Sequence, residues 1–168
     1  IRIACIAPEL PGALDCIRTV AAEGVKVSLA HTEADYDTAS AAFDAGAAHV
    51  THLFNAMPPL LHRAPGVIGA ASERETVTAE LIADGIHVHP SAVRAAFRLF
   101  PGRVCLVSDA LSACGMPEGE YMLGGQAIRV SGPRAMLSDG TLAGSVATLF
   151  DCMKNAVRFG VPAEEAVR

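Results

Sequence analysis

A strand-and-helix period of 21 to 22 residues constrains this chain more than any other feature. Short apolar runs end at Glu9, His31 and His52, which stand 22 and 21 residues apart. Each interval has room for one strand, one helix and two loops. Residues 1–7 carry Ile1, Ile3 and Ile6 and read as a buried strand. Pro11-Gly12 opens a helix with Leu14, Ile17, Val20 and Ala21 on one face, closed at Gly24. Residues 25–30 form a second strand, and Thr32-x-x-Asp35 has the spacing of a capping box. Tyr36, Ala39 and Phe43 mark the next helical face, Gly46 stops it, and residues 48–54 form the third strand. Consecutive units of this kind leave their strands parallel, with right-handed crossovers.

The remaining chain extends the pattern and then departs from it. Residues 57–75 read as a long loop rich in Pro and Gly. Residues 76–83 and 104–107 read as two more strands. Between them Pro90 suits the first turn of a helix whose face is Val93, Ala96, Phe97 and Phe100. After Asp109 the segments 121–123 and 126–130, joined by Gly124-Gly125, predict a hairpin, and Asp139-Gly140 predicts another turn. Residues 144–159 return to helix, with Val146, Leu149, Met153 and Val157 on one face. The pattern predicts an α/β fold, either part of a β/α barrel or an open doubly wound sheet. The phosphate-turn motifs common in the latter do not occur.

Composition narrows the function classes. Thirteen basic and 18 acidic residues leave a net charge of −5, which argues against a general nucleic-acid or membrane-surface binder. No apolar run approaches the roughly 20 residues of a membrane span. Five cysteines without a C-x-x-C pair predict reduced thiols and a cytoplasmic protein. Ile1 begins in mid-strand and Arg168 stops within a helical pattern, so the chain reads as part of a longer one.

The chemistry-bearing residues sit where strands run out into loops, the rigid positions from which a fold presents ligands. His31 and His52 end successive strands, and imidazole is the commonest protein ligand for zinc. Asp109 follows a buried strand, where a carboxylate is costly unless it is paired or acts as an acid–base; capping the next turn is the plainer role. Asn55 offers a donor and an acceptor, and Arg63 a forked cation suited to phosphate. His87 suits either a substrate carbonyl or a cap for the helix at Pro90. Glu9 suits a cap for the first helix as well as a site role. His49, His62 and His89 read as surface or supporting residues.

Seven blocks occur in order: Ala7-Pro8-Glu9; His31-Thr32-x-Ala34; Thr51-His52-Leu53-Phe54-Asn55-Ala56-Met57; Arg63-x-Pro65-Gly66; Ala83-Asp84-Gly85-Ile86-His87-Val88; Leu106-Val107-Ser108-Asp109-Ala110; and Gly140-Thr141-Leu142-Ala143-Gly144-Ser145. Together they resemble the N-acetylglucosamine-6-phosphate deacetylases of the amidohydrolase superfamily. The resemblance implies a metal-dependent TIM-like β/α barrel, partial here, with a short antiparallel β excursion after the last site strand. It makes residues 1–168 the C-terminal-side portion of a single catalytic domain, without the upstream barrel strands or the flanking β-sandwich segment. It implies hydrolysis of the N-acetyl amide of N-acetylglucosamine 6-phosphate to glucosamine 6-phosphate and acetate. By position, His31 and His52 would bind a divalent metal, zinc first, with iron, cobalt or manganese as alternatives. Asp109 would be general base and then acid, and His87 would hold the substrate carbonyl or a sugar hydroxyl. Asn55 and the Ala56 backbone would meet the phosphate, as would Arg63 reaching into the neighbouring subunit of a homodimer. Leu142, Ala143 and Gly144 would lie near the acetyl group.

The family's His-x-Glu-Gly-Pro block and its upstream His-x-His-like segment do not occur here, so the remaining metal ligands are expected outside these residues and the chain alone is expected to be inactive. Glu9 does not inherit the missing ligand role, and His89 stands where some relatives carry Asp. The rival readings are another superfamily hydrolase acting on a cyclic amide, and a barrel module that has lost catalysis.

Overall fold

A computed structural model describes residues 1–167. The chain divides into two compact units, Ile1–Leu81 with Ala96–Cys105 and Ile82–Ala95 with Leu106–Arg168. The expected α/β units are present. Strands β1 (Ile3–Ile6), β2 (Lys26–Leu29), β3 (Ala47–Val50), β4 (Thr78–Ile82) and β5 (Val104–Val107) form one sheet in that order. The pairs β1–β2, β2–β3 and β3–β4 are parallel. The first three strands are separated by helices α1 (Ala13–Ala22) and α2 (Tyr36–Asp44). The described residues show this parallel arrangement and a separate antiparallel sheet, and no closed barrel among them.

In the first unit, Val27, Leu29, Val50, Leu81 and Phe100 are fully buried. The helix α1 buries Ala13 and Ile17; of the expected face only Ile17 is fully buried, while Leu14, Val20 and Ala21 are half-buried. Two local readings are corrected. Asp35, not Thr32, caps α2, accepting from the Thr38 N–H at 2.8 Å. The Thr32 hydroxyl instead donates to Glu9. Within the stretch expected to be loop lies a short helix, α3 (Gly66–Ser72), buried from Gly66 to Ala71. Its sequence of Gly, Ala and small apolar residues carries little helical propensity, so packing decides it. Gly69 has no substitute there, since a Cβ would overlap the Pro65 ring.

In the second unit, β6 (Gly119–Leu123), β7 (Gln126–Ser131), β8 (Arg134–Leu137) and β9 (Leu142–Gly144) form an antiparallel meander. The expected hairpin is present, with Leu123 opposite Gln126. Gly124 and Gly125 both take positive φ (55° and 85°), as a two-residue turn with the strands' own twist requires. Ala113, Ile128, Val130 and Ala135 form its core. The last long helix is α5 (Leu149–Arg158), shorter than expected and started by a Thr148–Asp151 capping box. It buries Cys152 and Ala156, whereas Leu149 and Val157 of the expected apolar face are exposed. Burial and the nearby carboxylates push the Cys152 thiol up to about 11, so it is an inert core residue. Among the described residues no helix is long and apolar enough to cross a membrane.

Helix α4 (Pro90–Leu99) explains His89. The His89 carbonyl accepts from Ala92 and Val93, and its ring Nδ1 accepts from the Ser91 N–H at 3.2 Å. His89 is therefore the helix cap, a task Asp performs with the same geometry. His89→Ala is expected to lower unfolding free energy by about 1 kcal/mol, and His89→Asp to leave it unchanged or slightly raised, as read by urea denaturation.

Candidate functional site

Backbone strain marks the strand ends. Among the described residues, five non-glycine positions take positive φ: His31 (48°), His52 (34°), Phe54 (76°), Ala56 (49°) and Asp109 (47°). Such conformations cost on the order of 1–3 kcal/mol each and persist where the surroundings hold them. Four of the five are residues that the sequence assigns to the site.

In the first unit the structure brings His31 and His52 together. Their Nε2 atoms are 3.0 Å apart, with the rings edge to face at an interplanar angle of 89°. His52 Nδ1 lies 3.1 Å from the Asn55 carbonyl, which can only accept, so Nδ1 carries the proton and Nε2 keeps its lone pair. The exposed His31 ring then presents its own Nε2 to the same point. Two nitrogens sharing a tetrahedral zinc at 2.0–2.1 Å would lie about 3.3 Å apart, close to what is found. The pair therefore fits two positions of a metal's coordination shell. Among the described residues no group of three or more His, Cys, Asp or Glu side chains could hold an ion, so a third ligand is not supplied here.

The loop after His52 is braced by its own backbone. The Asn55 N–H donates to the His52 carbonyl at 2.9 Å, closing a turn. The Asn55 amide NH2 donates to the His52 and Leu53 carbonyls, both at 3.2 Å. Leu53 is fully buried and anchors the turn in the core. The Thr32 N–H donates to the Ala56 carbonyl at 3.0 Å, tying the His31 loop to the His52 loop. Glu9 belongs to the same support. It does not cap α1, which Gly12 precedes without a side-chain cap. Its carboxylate accepts from the Thr32 hydroxyl and from the Glu33 N–H at 2.8 Å. Burial raises the Glu9 carboxyl pKa, but these hydrogen bonds outweigh it and leave the value below the usual range.

Arg63 is exposed and donates to His62 Nε2 at 2.9 Å. It lines an open cleft of about 640 Å³ together with Glu33, Asp35, Asp37 and Glu73. Carboxylates on that side make the cleft a poor place for a phosphate.

In the second unit, Asp84 and His87 form a buried dyad. Asp84 Oδ2 meets His87 Nδ1 at 2.6 Å, and Oδ1 accepts the N–H groups of Ile86 and His87 at 2.8 and 2.9 Å. Their side chains are 4% and 7% exposed, so the ring is held fast. His87 does not cap α4; His89 does. Its Nε2 is left without a protein partner among the described residues. Asp109 is exposed and its side chain caps nothing, while its carbonyl accepts from Ser145 at 3.2 Å. Leu142, Ala143 and Gly144 form β9, where Gly144 takes φ 150° and a Cβ would collide with Leu111. Sequence reasoning assigned no role to Asp84, although Asp-Gly-x-His, with a carboxylate three residues before an imidazole, is a readable signal.

No family model matches the chain. It is 45% identical over 162 residues to an N-acetylglucosamine-6-phosphate deacetylase of Vibrio furnissii, covering 96% of this chain and 41% of that protein. It is 39% identical over 168 residues to an N-acetylgalactosamine-6-phosphate deacetylase of Escherichia coli O157:H7, covering 99% of this chain and 45% of that protein. A mutant Mycobacterium smegmatis N-acetyl-D-glucosamine-6-phosphate deacetylase, solved in complex with N-acetyl-D-glucosamine-6-phosphate, superposes with a TM-score of 0.93 at 42% identity, over 99% of this chain and 45% of that one. The resemblance read from the residues is thus borne out, and the chain spans about two fifths of the length of the curated relatives it matches.

The dyad sets a pH dependence. Burial raises the Asp84 carboxyl pKa, but hydrogen bonds from the His87 ring and from two backbone N–H groups bring it below the usual value. A carboxyl whose folded pKa is depressed stabilises above its unfolded pKa, near 4, and loses that stabilisation as pH falls through the folded value. In urea denaturation of the polypeptide that carries this chain, Asp84→Asn is expected to destabilise by about 1–3 kcal/mol at pH 7. It should also lose less stability than the parent between pH 4 and pH 3; equal acid losses would remove Asp84 as a source.

Proposed function

We propose that this chain supplies part of the active site of a metal-dependent deacetylase. Its substrate is an N-acetylated hexosamine 6-phosphate, with N-acetylglucosamine 6-phosphate first. One observation carries the reading: His31, His52, Ala56 and Asp109 are held in left-handed backbone conformations at strand ends. These are the positions to which the resemblance gives metal, phosphate and proton-transfer roles. Strain at unrelated surface loops would have no reason to select them.

His31 and His52 would hold a divalent cation through Nε2, with at least one further ligand from elsewhere in the complete protein. Such a cation, zinc first among zinc, iron, cobalt and manganese, would polarise the scissile amide and acidify a water molecule. Asp109, whose carboxylate is exposed and uncommitted, takes the proton from the attacking water. It returns that proton to the departing amine nitrogen. His87, its ring plane fixed by Asp84, offers Nε2 to the substrate. It accepts from a sugar hydroxyl when neutral, or donates to the carbonyl oxygen when protonated. Asn55 shapes the turn that points the Ala56 N–H toward a phosphate, and meets the phosphate itself if its amide exchanges a carbonyl for a phosphate oxygen. Leu142–Gly144 would border the acetyl group, with Gly144 leaving room that a side chain would fill.

Arg63 sits among carboxylates in its own chain, which favours a phosphate belonging to a neighbouring subunit and hence a homodimer. The parallel strands would form part of a β/α barrel within one catalytic domain, completed by strands outside residues 1–168, in a cytoplasmic protein with neither nucleic-acid nor membrane partners. The Escherichia coli relative favours a second substrate, the galactosamine epimer, which differs at a single sugar hydroxyl.

The test is acetate release by the complete protein on both 6-phosphates, with metal content measured alongside. Asp109→Asn is expected to lower turnover about 10²–10⁴-fold while metal stays bound. Turnover at the parent level would sink the assignment, and release from the galactosamine substrate alone would move it to the epimer.

A further inference from the structure

Helix α5 reaches back to the turn that carries His87, and the proposed reaction makes no use of that contact. The turn is left-handed at Gly85, with φ 80°. Asp84 closes it with three bonds: Oδ1 accepts the N–H groups of Ile86 and His87, and Oδ2 meets the His87 ring. On either side the chain is held by regular structure, since β4 ends at Ile82 and α4 begins at Pro90. Gly85 itself brings no side chain to pack. What stands over it is Phe159: a Cβ on Gly85 would come within 3.1 Å of the ring's Cζ.

Phe159 is itself held in place. It is the C-cap of α5. Just past it the Gly160 N–H donates to the Val157 carbonyl and the Val161 N–H to the Ala156 carbonyl, both at 3.0 Å. With Gly160 at φ 98°, these are the paired bonds of a Schellman ending. Val161 is buried and anchors it. The Phe159 carbonyl accepts from Arg94 Nη1 at 2.9 Å, so α4 grips the same cap. Asn155 lies one turn earlier on the same face of α5. Its amide donates to the Asp84 carbonyl at 3.4 Å.

A glycine in a turn is free to take many backbone conformations, so the turn needs a cover to keep one of them. Without the ring, water would reach the peptide groups that Asp84 holds, and they could exchange the carboxylate for solvent at little net cost. The His87 ring would then lose the partner that fixes its plane. We infer that Phe159, backed by Arg94 and Asn155, is a positioning residue that keeps the Asp84–His87 turn closed and the His87 ring aimed at substrate. The inference rests on the reading of His87 as a substrate-binding residue.

The experiment measures kcat/KM for acetate release from N-acetylglucosamine 6-phosphate by the complete protein, per mole of bound metal. Phe159→Ala is expected to lower it about 10-fold, within the roughly 10²-fold that 1 Å of misplacement can cost. Phe159→Met, which keeps an apolar chain over Gly85, should lose less. The deciding comparison is a double-mutant cycle with His87→Gln. If Phe159 acts through His87, adding Phe159→Ala to His87→Gln should lower kcat/KM by less than about 2-fold further. An equal drop in both backgrounds overturns the inference, because a general structural defect acts whether or not the imidazole is there. Parent-like kcat/KM in folded Phe159→Ala overturns it as well. If Phe159→Ala fails to fold, Arg94→Met, which releases the Phe159 carbonyl, goes through the same cycle and the same outcomes decide. Parent-like kcat/KM in His87→Gln, or no acetate release by the parent, would instead remove the reading on which the positioning role rests.

Discussion

The left-handed corner at His52 is the constraint on which the first unit's chemistry depends. A β-strand ending in an ordinary turn would carry the imidazole on round with the chain. Here Leu53, fully buried, anchors the corner in the core, and His52 and Phe54 on either side take positive φ. The carbonyl of His52 accepts from Asn55, and the N–H group of Leu53 goes to the Glu80 backbone carbonyl. Both carbonyls of the corner and the Leu53 N–H thus have partners, as a buried turn requires. The strain of one residue is held by hydrogen bonds belonging to several.

Three imidazoles are oriented by the same device. A partner that can only accept fixes which nitrogen carries the proton, and the other nitrogen is released or used. For His52 the partner is the Asn55 carbonyl, for His87 the Asp84 carboxylate, and for His49 the Glu80 carboxylate. The outcomes differ by what the second nitrogen meets. His52 Nε2 faces His31, His87 Nε2 has no protein partner among the described residues, and His49 Nδ1 is consumed by Thr78. Two of the three are therefore available for chemistry and the third is a strut. Histidine count alone would not have separated them.

This difference shows where the sequence was legible. The β/α units could be read because apolar periodicity is local, and the Gly124-Gly125 hairpin because only glycine takes two positive φ values without strain. The strand-end positions of His31, His52 and Asp109 followed from the same periodicity. What escaped depends on partners far along the chain. Glu9 meets Thr32 and Glu33, 23 and 24 residues away, and His49 meets Glu80, 31 residues away. No local pattern announces such contacts. The helix α3 was hidden for a different reason: its Gly and Ala residues favour it weakly, and burial of six of its seven residues decides it. The face of α5 was misread because Leu149 and Val157 are apolar yet exposed, while the smaller Cys152 and Ala156 are buried.

Orientation and ligand count are separable properties of a metal site, and under the proposed reading the described residues carry the first without the second. The tautomer of His52, its backbone conformation and the approach of His31 are all set by residues between Glu9 and Glu80. Among the described residues the pair has no third ligand. Two imidazoles alone hold a cation weakly, since structural and catalytic zinc sites use at least three protein ligands. A third ligand arriving from elsewhere in a complete protein would find two nitrogens already aimed, and little further ordering of these side chains would be needed. The strain at His31 and His52 is then part of preorganisation. Its cost is met during folding by the turn's own hydrogen bonds, so under the proposed reading cation binding need not overcome it.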